Sequence, residues 1–538
     1  MQTKSIQLTN KNHFISEYRN GKMMNYFDYK PFDEFERRVQ DVTSKTYERE
    51  KLVNTLTTMN KNWDAPQATI NQIERLKDER SVVVVGGQQA GLLTGPLYSI
   101  NKLISIVRLA KEQEEKLQRP VIPVFWIAGE DHDFEEINHI YTSNDHALKK
   151  HRLQDEMYNK VSVSHLYMDQ EKVTIWLQTA FADMKETMYT KSLYDTILRC
   201  LHTSESYVDF FAKLIHALFP EEGIVLIDSG DEAVRRLETD FFQLLIKNQE
   251  EISASVYETV QQLQQKGYTV PLEVEPNDTH LFYHDDYNER ILLKREEDKW
   301  VGKNDEVVLT TEDMLHLAAT QPDRLSNNVV TRPLMQEYLF PTLAFVGGDG
   351  EISYWAALKK AFHCVELTMP PVVPRLSLTY KTDRVDKLLR TRVLKAEDVI
   401  QYGVTDVRMR WLMSQETPSI DIVFSDVLQQ IETLHEPLRA IAKDVSADLE
   451  AEAARNKQYI QHNIHYLQKK VEQKIAENHK LPLQQFDEIN IALHPNNGLQ
   501  ERIWSPLPFI NEYGVDFFKT LIHKEELSLK EQHYIVSL

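Results

Sequence analysis

The chain has 538 residues, with Lys+Arg 62 against Asp+Glu 82, so its formal net charge is −20 at 42% hydrophobic residues. That length corresponds to about three to four domain-sized units, with enough apolar residues for ordinary cores. The acidity argues against binding to a nucleic-acid backbone, which needs clustered positive charge, and no apolar run approaches the roughly 18–20 residues of a membrane span. The start, MQTKSIQLTNKN, has no apolar core of a signal peptide. The two cysteines, Cys200 and Cys364, exclude a disulfide framework and a CxxC-type zinc site. A soluble protein of the reducing cytoplasm is expected, with no nucleic acid, membrane or resident metal as partner.

In chain order, residues 81–85 (SVVVV) read as a buried parallel strand, followed by the loop GGQQAGLLTGP. A helix then carries Leu97, Ile100, Ile104 and Val107 on one face, with Pro96 at its start. Residues 121–128 (VIPVFWIA) are a second strand leading into GEDHD and another helix start. Residues 223–228 (GIVLID) form a third strand, with helix from Asp231; residues 342–346 (TLAFV) lead through GGDG into a helix; residues 371–378 open a final strand. Between these lie a mostly helical insertion at about 141–219 and a small α/β insertion at about 255–325. Antiparallel strands are expected in the latter at 269–274, 280–283 and 290–294. Half of the 16 glycines fall in the loops at 86–95, 129 and 347–350. Each loop ends a parallel strand, the edge where open α/β sheets bind ligands.

From Thr382 the texture changes. Val427, Ile431, Leu434, Leu438, Ile441 and Val445 repeat in a heptad rhythm, and Ile460, Ile464, Leu467 and Val471 resume it after an alanine-containing middle. No glycine occurs from Val404 to Asn497. An antiparallel coiled coil is expected, bent or restarted at Pro437; a pair of amphipathic helices packed on the core is the alternative.

Three motifs carry chemistry. GGQQAGLLTGP lacks the Lys-Ser/Thr of a phosphate-binding P-loop but brings Gln88, Gln89, Thr94 and Gly95 to a helix N-terminus, where an anion is favoured. Its glycines could equally serve close packing. In GEDHDFEEINH, Asp133 and Glu136 fit a D-x-x-E capping box. Asp131 and His132 precede the helix, and His132 beside carboxylates is expected to be a general base of raised pKa. A metal reading of Asp131, His132, Asp133 and His139 ranks lower, because ligand spacings such as HExxH are absent. In GGDGEISYW, Gly347 and Gly348 precede Glu351, a first-turn acid, and Tyr354. Arg332 and Arg375 are the cations expected to meet an acidic substrate.

The strings GQQAGLLTGPLYSI, PVFWIAGEDHDFEEINH, RPLMQEYLFPTLAFVGGDGEISYWAALK and PPVVPRLSLT resemble the cysteine-adding enzymes of bacillithiol biosynthesis, over the chain from FISEY to the end. The resemblance implies an α/β fold: a Rossmann-like core related to class I aminoacyl-tRNA synthetases over 1–380, with two connecting-peptide insertions. A coiled-coil domain over 381–485 would mediate homodimerisation, and a segment over 486–538 would pack back on the core. It implies a ligase that adds cysteine to the amine of glucosaminyl-malate through an activated carboxylate. His132, Asp131 and Asp133 would be catalytic. Gln88, Gln89, Thr94, Gly95, Tyr98, Asn138, Arg332, Gly347, Gly348, Glu351, Tyr354 and Arg375 would bind substrate. ATP or ADP, with Mg as counter-ion and no zinc, is implied as the energy source. Yet the HIGH and KMSKS signatures of the synthetases are absent. A second nucleotide candidate combines Arg384 at the helix start of residues 382–386 with Asn490, Arg502 and Trp504; alternatively Trp504 anchors the C-terminal segment. A nucleotide-binding scaffold that assembles pathway enzymes through its coiled coil stays open beside the ligase.

Overall fold

Val82–Gln88, Val121–Ile127, Val225–Asp228, Thr342–Gly347 and Val372–Pro374 form a five-stranded, all-parallel sheet in a computed structural model describing residues 1–9, 13–143, 147–154, 160–415 and 419–538. Across the sheet the fifth strand lies next to the fourth, then the first, second and third. The direction of winding therefore reverses between Val82–Gln88 and Thr342–Gly347, a topological switch point of the Rossmann type. Every residue of Val121–Ile127 is buried, which is why this strand reads as an unbroken apolar run. The helix Leu97–Leu117 returns from the first strand to the second and buries Asn101, Lys102 and Ser105 as well as its apolar stripe.

Two compact units result. One holds the described residues up to Tyr380 (Ala147 aside) together with Gln500–Leu538; the other holds Lys381–Leu499. The expected division at 485/486 thus moves to 499/500. The helix Lys480–Leu493 buries Leu483, Phe486, Ile489 and Leu493 and packs on the helices Asp383–Arg392 and Ala396–Tyr402 of the second unit.

Several expected strands differ. Residues 371–378 are not one strand: Val372–Pro374 ends the parallel sheet, and Leu378–Lys381 begins a different, three-stranded sheet with His533–Ser537 and Gln2–Ile6. The chain turns between them where Arg375 N–H reaches back to Gly347 O (2.9 Å) and Leu376 N–H to Ser105 Oγ (2.9 Å). Residues 269–274 form no strand. The insertion instead builds a five-stranded antiparallel sheet from Asp278–His284, Arg290–Glu296, Lys299–Gly302, Val308–Thr310 and Leu325–Asn327. The earlier insertion carries a hairpin, His139–Ser143 with Leu148–Arg152, before its three helices Gln170–Ala182, Thr190–His202 and Tyr207–Leu218.

In the second unit, Ile420–Val445 and Ala447–Asn478 form a helical hairpin. The first helix runs through Pro437, so the seam does not restart there; the break falls at Ser446, whose extended backbone (φ −166°, ψ 155°) reverses the chain and whose Oγ caps Leu449 N–H. Pairs run outward from this corner in antiparallel order: Lys443 with Glu450, His435 with Asn456, Glu432 with Lys457, and Asp421 with Gln468. No helix among the described residues is long and apolar enough to cross a membrane.

Candidate active site

The carboxyl ends of the parallel strands open into a cleft of about 480 Å³ at the switch point, within the roughly 300–1,000 Å³ usual for small-molecule sites. The loops after the first, second and fourth strands all reach it through Gln88 and Gln89, Asp131 and His132, and Gly348 and Glu351. The antiparallel insertion adds a wall of Phe282, Arg290 and Asn327. Gly86 and Gly87 lie inside the first strand rather than in a flexible loop. A Cβ on Gly86 would stand 2.8 Å from Val346 O, and one on Gly87 2.5 Å from Trp126 O. For these two the close-packing alternative holds.

The centre of the cleft is a buried charge network. Lys102, projecting from the second turn of the long helix, donates to Gly87 O (2.6 Å), Gln88 Oε1 (3.2 Å) and Glu351 Oε2 (2.5 Å). Burial pushes its ammonium below the ordinary value, while Glu351 pulls it back up. Burial works against the Glu351 carboxylate too, but Lys102 and Arg332 outweigh it and hold that group low. Glu351 also accepts from Gly348 N–H (2.8 Å), so it does close the first turn of its helix as a cap.

Arg375 is already engaged. It donates to both oxygens of Glu501 (2.9 and 2.8 Å), a carboxylate that also accepts from Asn101, Ser377 and Leu378 N–H. Burial raises Glu501, but Arg375 prevails and brings it to about 2. The next residue, Arg502, lines the cleft from an exposed position. Arg332 lines it from a buried one, with its guanidinium donating to Tyr354 Oη (2.5 Å). Neither Arg332 nor Arg502 has a carboxylate in ion-pair distance among the described residues. Of the two arginines expected to meet a substrate, Arg375 is thus paired with a carboxylate and Arg332 is not, and Arg502 lines the same cleft.

Opposite, Gln89 Nε2 donates to Asp131 Oδ2 (2.9 Å), and Arg290 Nη1 reaches both Asp131 Oδ1 (3.4 Å) and His132 Nδ1 (3.3 Å). The expected rise in the pKa of His132 is overturned. Burial and then the Arg290 guanidinium push it below the ordinary value, against the pull of Asp131. Arg290 has only N–H donors, so its bond requires His132 Nδ1 to accept, which leaves the neutral ring's proton on Nε2. The expected capping box also fails to form: Asp133 makes no side-chain cap, the helix Phe134–Ile137 has only 4 residues, and Glu136 lines the cleft instead. Burial raises the Glu136 carboxyl, a hydrogen bond from Gln89 lowers it, and the balance lies above the ordinary value.

Below these loops, Glu130 accepts from Arg235, which also holds Glu238 (2.6 Å), and Ser164 Oγ donates to Asp228 Oδ1 (2.9 Å). Gly129 passes so close that a Cβ there would meet both Asp228 Oδ1 and Ser164 Oγ at 2.1 Å. Burial pushes Asp228 up to about 7.

Of the expected site residues, Gln88, Gln89, Tyr98, Asp131, His132, Arg332, Gly348, Glu351, Arg375 and Arg502 line the cleft. Tyr354 touches it through Arg332. Thr94, Gly95, Asp133, Asn138 and Gly347 do not line it: Thr94 and Asn138 are buried, and Asn138 Oδ1 lies 3.3 Å from His139 Nδ1. Asp131, His132, Asp133 and His139 form no metal cluster; among the described residues no three or more His, Cys, Asp or Glu side chains do. The nucleotide candidate is divided. Arg384 is bonded to Glu488 and Asn490 Oδ1 accepts Val404 N–H (3.1 Å), both within the second unit, whereas Arg502 and Trp504 belong to the first. The carbonyl of Trp504 takes Leu97 N–H (2.8 Å) at the N-terminus expected to hold an anion, and its ring meets Phe509, so Trp504 anchors the C-terminal segment.

Sequence reasoning missed Lys102, Glu130, Arg290 and Asn327. Lys102 had a signal, the single charged residue in the mostly apolar stretch 97–107 of its helix; the insertion residues had none, because only the tertiary fold brings them to the sheet edge.

Residues 1–376 match the description "Bacillithiol biosynthesis BshC, N-terminal Rossmann-like domain", and residues 378–538 match "Bacillithiol biosynthesis BshC, C-terminal coiled-coil domain". The chain belongs to the BshC family. A protein of Oceanobacillus iheyensis named "Putative cysteine ligase BshC" is 43% identical over 540 residues, covering 99% of both chains. Proteins of the same name from Bacillus licheniformis and Bacillus velezensis are each 38% identical over 100% of both chains. The boundary between the two BshC descriptions falls close to Tyr380, yet Gln500–Leu538, counted with the coiled-coil domain, folds with the Rossmann-like unit, supplies Arg502 to its cleft and pairs Glu501 with the cleft-lining Arg375.

Proposed function

We propose that this chain is a carbon–nitrogen ligase of bacillithiol biosynthesis that joins the carboxyl carbon of cysteine to the amine of glucosaminyl-malate. The observation that carries the reading is the polarity of the cleft. Two guanidinium groups without carboxylate partners among the described residues, Arg332 and Arg502, share the cleft with Asp131, His132 and Glu136. A dicarboxylate such as the malyl group matches two free guanidiniums, and carboxylates near an incoming amine can take its proton.

In this reading the amine nitrogen attacks the activated carbonyl carbon of cysteine, the new C–N bond forms, and the C–O bond to the activating group breaks. Glu136, raised by burial, accepts the proton lost by the amine. His132, with its proton on Nε2, donates a hydrogen bond to the carbonyl oxygen as negative charge develops there. The Lys102–Glu351–Gln88 network keeps the floor of the cleft rigid. This revises the expectation that His132 is the base.

ATP with Mg as counter-ion remains the proposed source of activation; of the nucleotide candidates, Arg384 pairs with Glu488 and Asn490 Oδ1 accepts Val404 N–H. A cytoplasmic location and a homodimer joined through the helical hairpin complete the reading. Leu434, Leu438, Ile441 and Val445 support the latter, exposing 73%, 58%, 63% and 67% of their surface along one stripe.

Incubation of purified protein with glucosaminyl-malate, cysteine and Mg-ATP, followed by mass spectrometry, tests the reading. Bacillithiol with equimolar AMP indicates an adenylate, and with ADP an acyl phosphate. Folded protein that yields no product under these conditions overturns the ATP-dependent ligase and favours the scaffold.

A further inference from the structure

Asn327 ends the short insertion strand Leu325–Asn327 and lines the cleft, yet only 1% of its surface is exposed. Its main chain is committed on both sides: its N–H donates to Glu130 Oε2 (3.2 Å), and its carbonyl accepts from Arg290 Nη2 (2.6 Å). Its side chain is not. Neither Oδ1 nor Nδ2 has a hydrogen-bond partner among the described residues. A buried carboxamide left unpaired lowers stability, and native proteins keep few such groups without a use.

We infer that the Asn327 carboxamide recognises a hydroxyl of the sugar ring of the acceptor substrate, donating through Nδ2 and accepting through Oδ1. A hydroxyl is both donor and acceptor, as is the amide. The charged parts of the substrates have other partners of opposite sign in the same cleft: carboxylates at Arg332 and Arg502, an ammonium at Asp131 and Glu136. The amide is also held in place. Its strand pairs with Asp278–His284, and the two main-chain bonds fix the Cα, so little ordering remains to be lost on binding. This inference rests on glucosaminyl-malate being the acceptor and names the residue that tells it from malate.

Titration calorimetry of malate and of glucosaminyl-malate with the full chain, its Asn327→Leu variant and its Asn327→Ala variant provides the test. Asn327→Leu should weaken glucosaminyl-malate by about tenfold, leave malate unchanged, and raise Tm because an unpaired buried amide is gone. Asn327→Ala, which cannot clash, should show the same selective loss. Equal affinity of all three proteins for glucosaminyl-malate overturns the inference, and so does a parallel loss for malate, which would mark a general distortion of the cleft. If the wild-type chain binds glucosaminyl-malate no better than malate, the acceptor reading falls and this inference with it; tight wild-type binding without selective loss overturns the inference alone.

Discussion

The two units solve opposite problems. The Rossmann-like unit hides charge: Lys102, Glu351, Arg375 and Glu501 lie around its cleft, each bonded to a partner of opposite sign. The helical hairpin displays apolar side chains, and its ion pairs, such as Glu432 with Lys457, sit at the surface. Removing a buried partner leaves an uncompensated charge, whereas removing a surface apolar residue costs the monomer almost nothing. Stability and specificity are thus coupled in the first unit and separate in the second.

Breaking the Arg375–Glu501 pair should give the largest effect. Glu501→Ala strands a buried guanidinium and should cost about 3–5 kcal/mol in urea unfolding of the full chain. A loss below about 1 kcal/mol, the scale of an exposed pair, would erase the contrast.

Next is the pH dependence of the first unit. Asp228 has a folded pKa of about 7 against an ordinary 3.8. The folded chain therefore keeps a proton that the unfolded chain has released. The resulting stabilisation is full below the ordinary value and is lost as pH rises through the folded one. Unfolding of Asp228→Asn should lack this fall between pH 4 and pH 7 relative to wild type. Parallel curves would show that Asp228 does not titrate there.

On the hairpin, Leu438→Asp should leave the unfolding midpoint within experimental error but weaken self-association by about 1.5–3 kcal/mol per buried leucine, read by analytical ultracentrifugation. A lower midpoint with unchanged association would reverse the comparison. The smallest effects sharpen the cleft itself. Arg332→Met should raise KM for glucosaminyl-malate about 10–100-fold, and Arg502→Met, at an exposed position, only a few-fold.

The sheet was legible because buried parallel strands read as apolar runs, and the three cleft-lining loops because each ends such a run. Gln88, His132 and Glu351 could be placed on that basis alone. The roles were harder. His132 was expected to follow its sequence neighbours Asp131 and Asp133, but Arg290, 158 positions away, decides its proton. The Asp133–Glu136 spacing matched a cap, yet a helix of 4 residues offers too little for one to stabilise, and Glu136 turns to the cleft. Arg375 lies at the sheet edge, as its place after a parallel strand suggests, but the carboxylate that neutralises it arrives from beyond the helical unit and leaves no local signal. Asn327 belongs to a three-residue strand with no periodic signal of its own.

The position of Glu501 has a consequence for how the molecule comes into being. On the ribosome, the five parallel strands and both insertions emerge first, and the entire helical hairpin follows before Glu501 and Arg502 are made. Gln2–Ile6 must wait still longer, for His533–Ser537, before it can pair. Closing contacts of such long range is slow. During that interval Arg375 lies without its counter-charge and the cleft lacks one of its two open guanidiniums. The cleft is therefore completed only after the whole helical hairpin has been made, and a product terminated before Glu501 would carry most of the fold with an incomplete cleft.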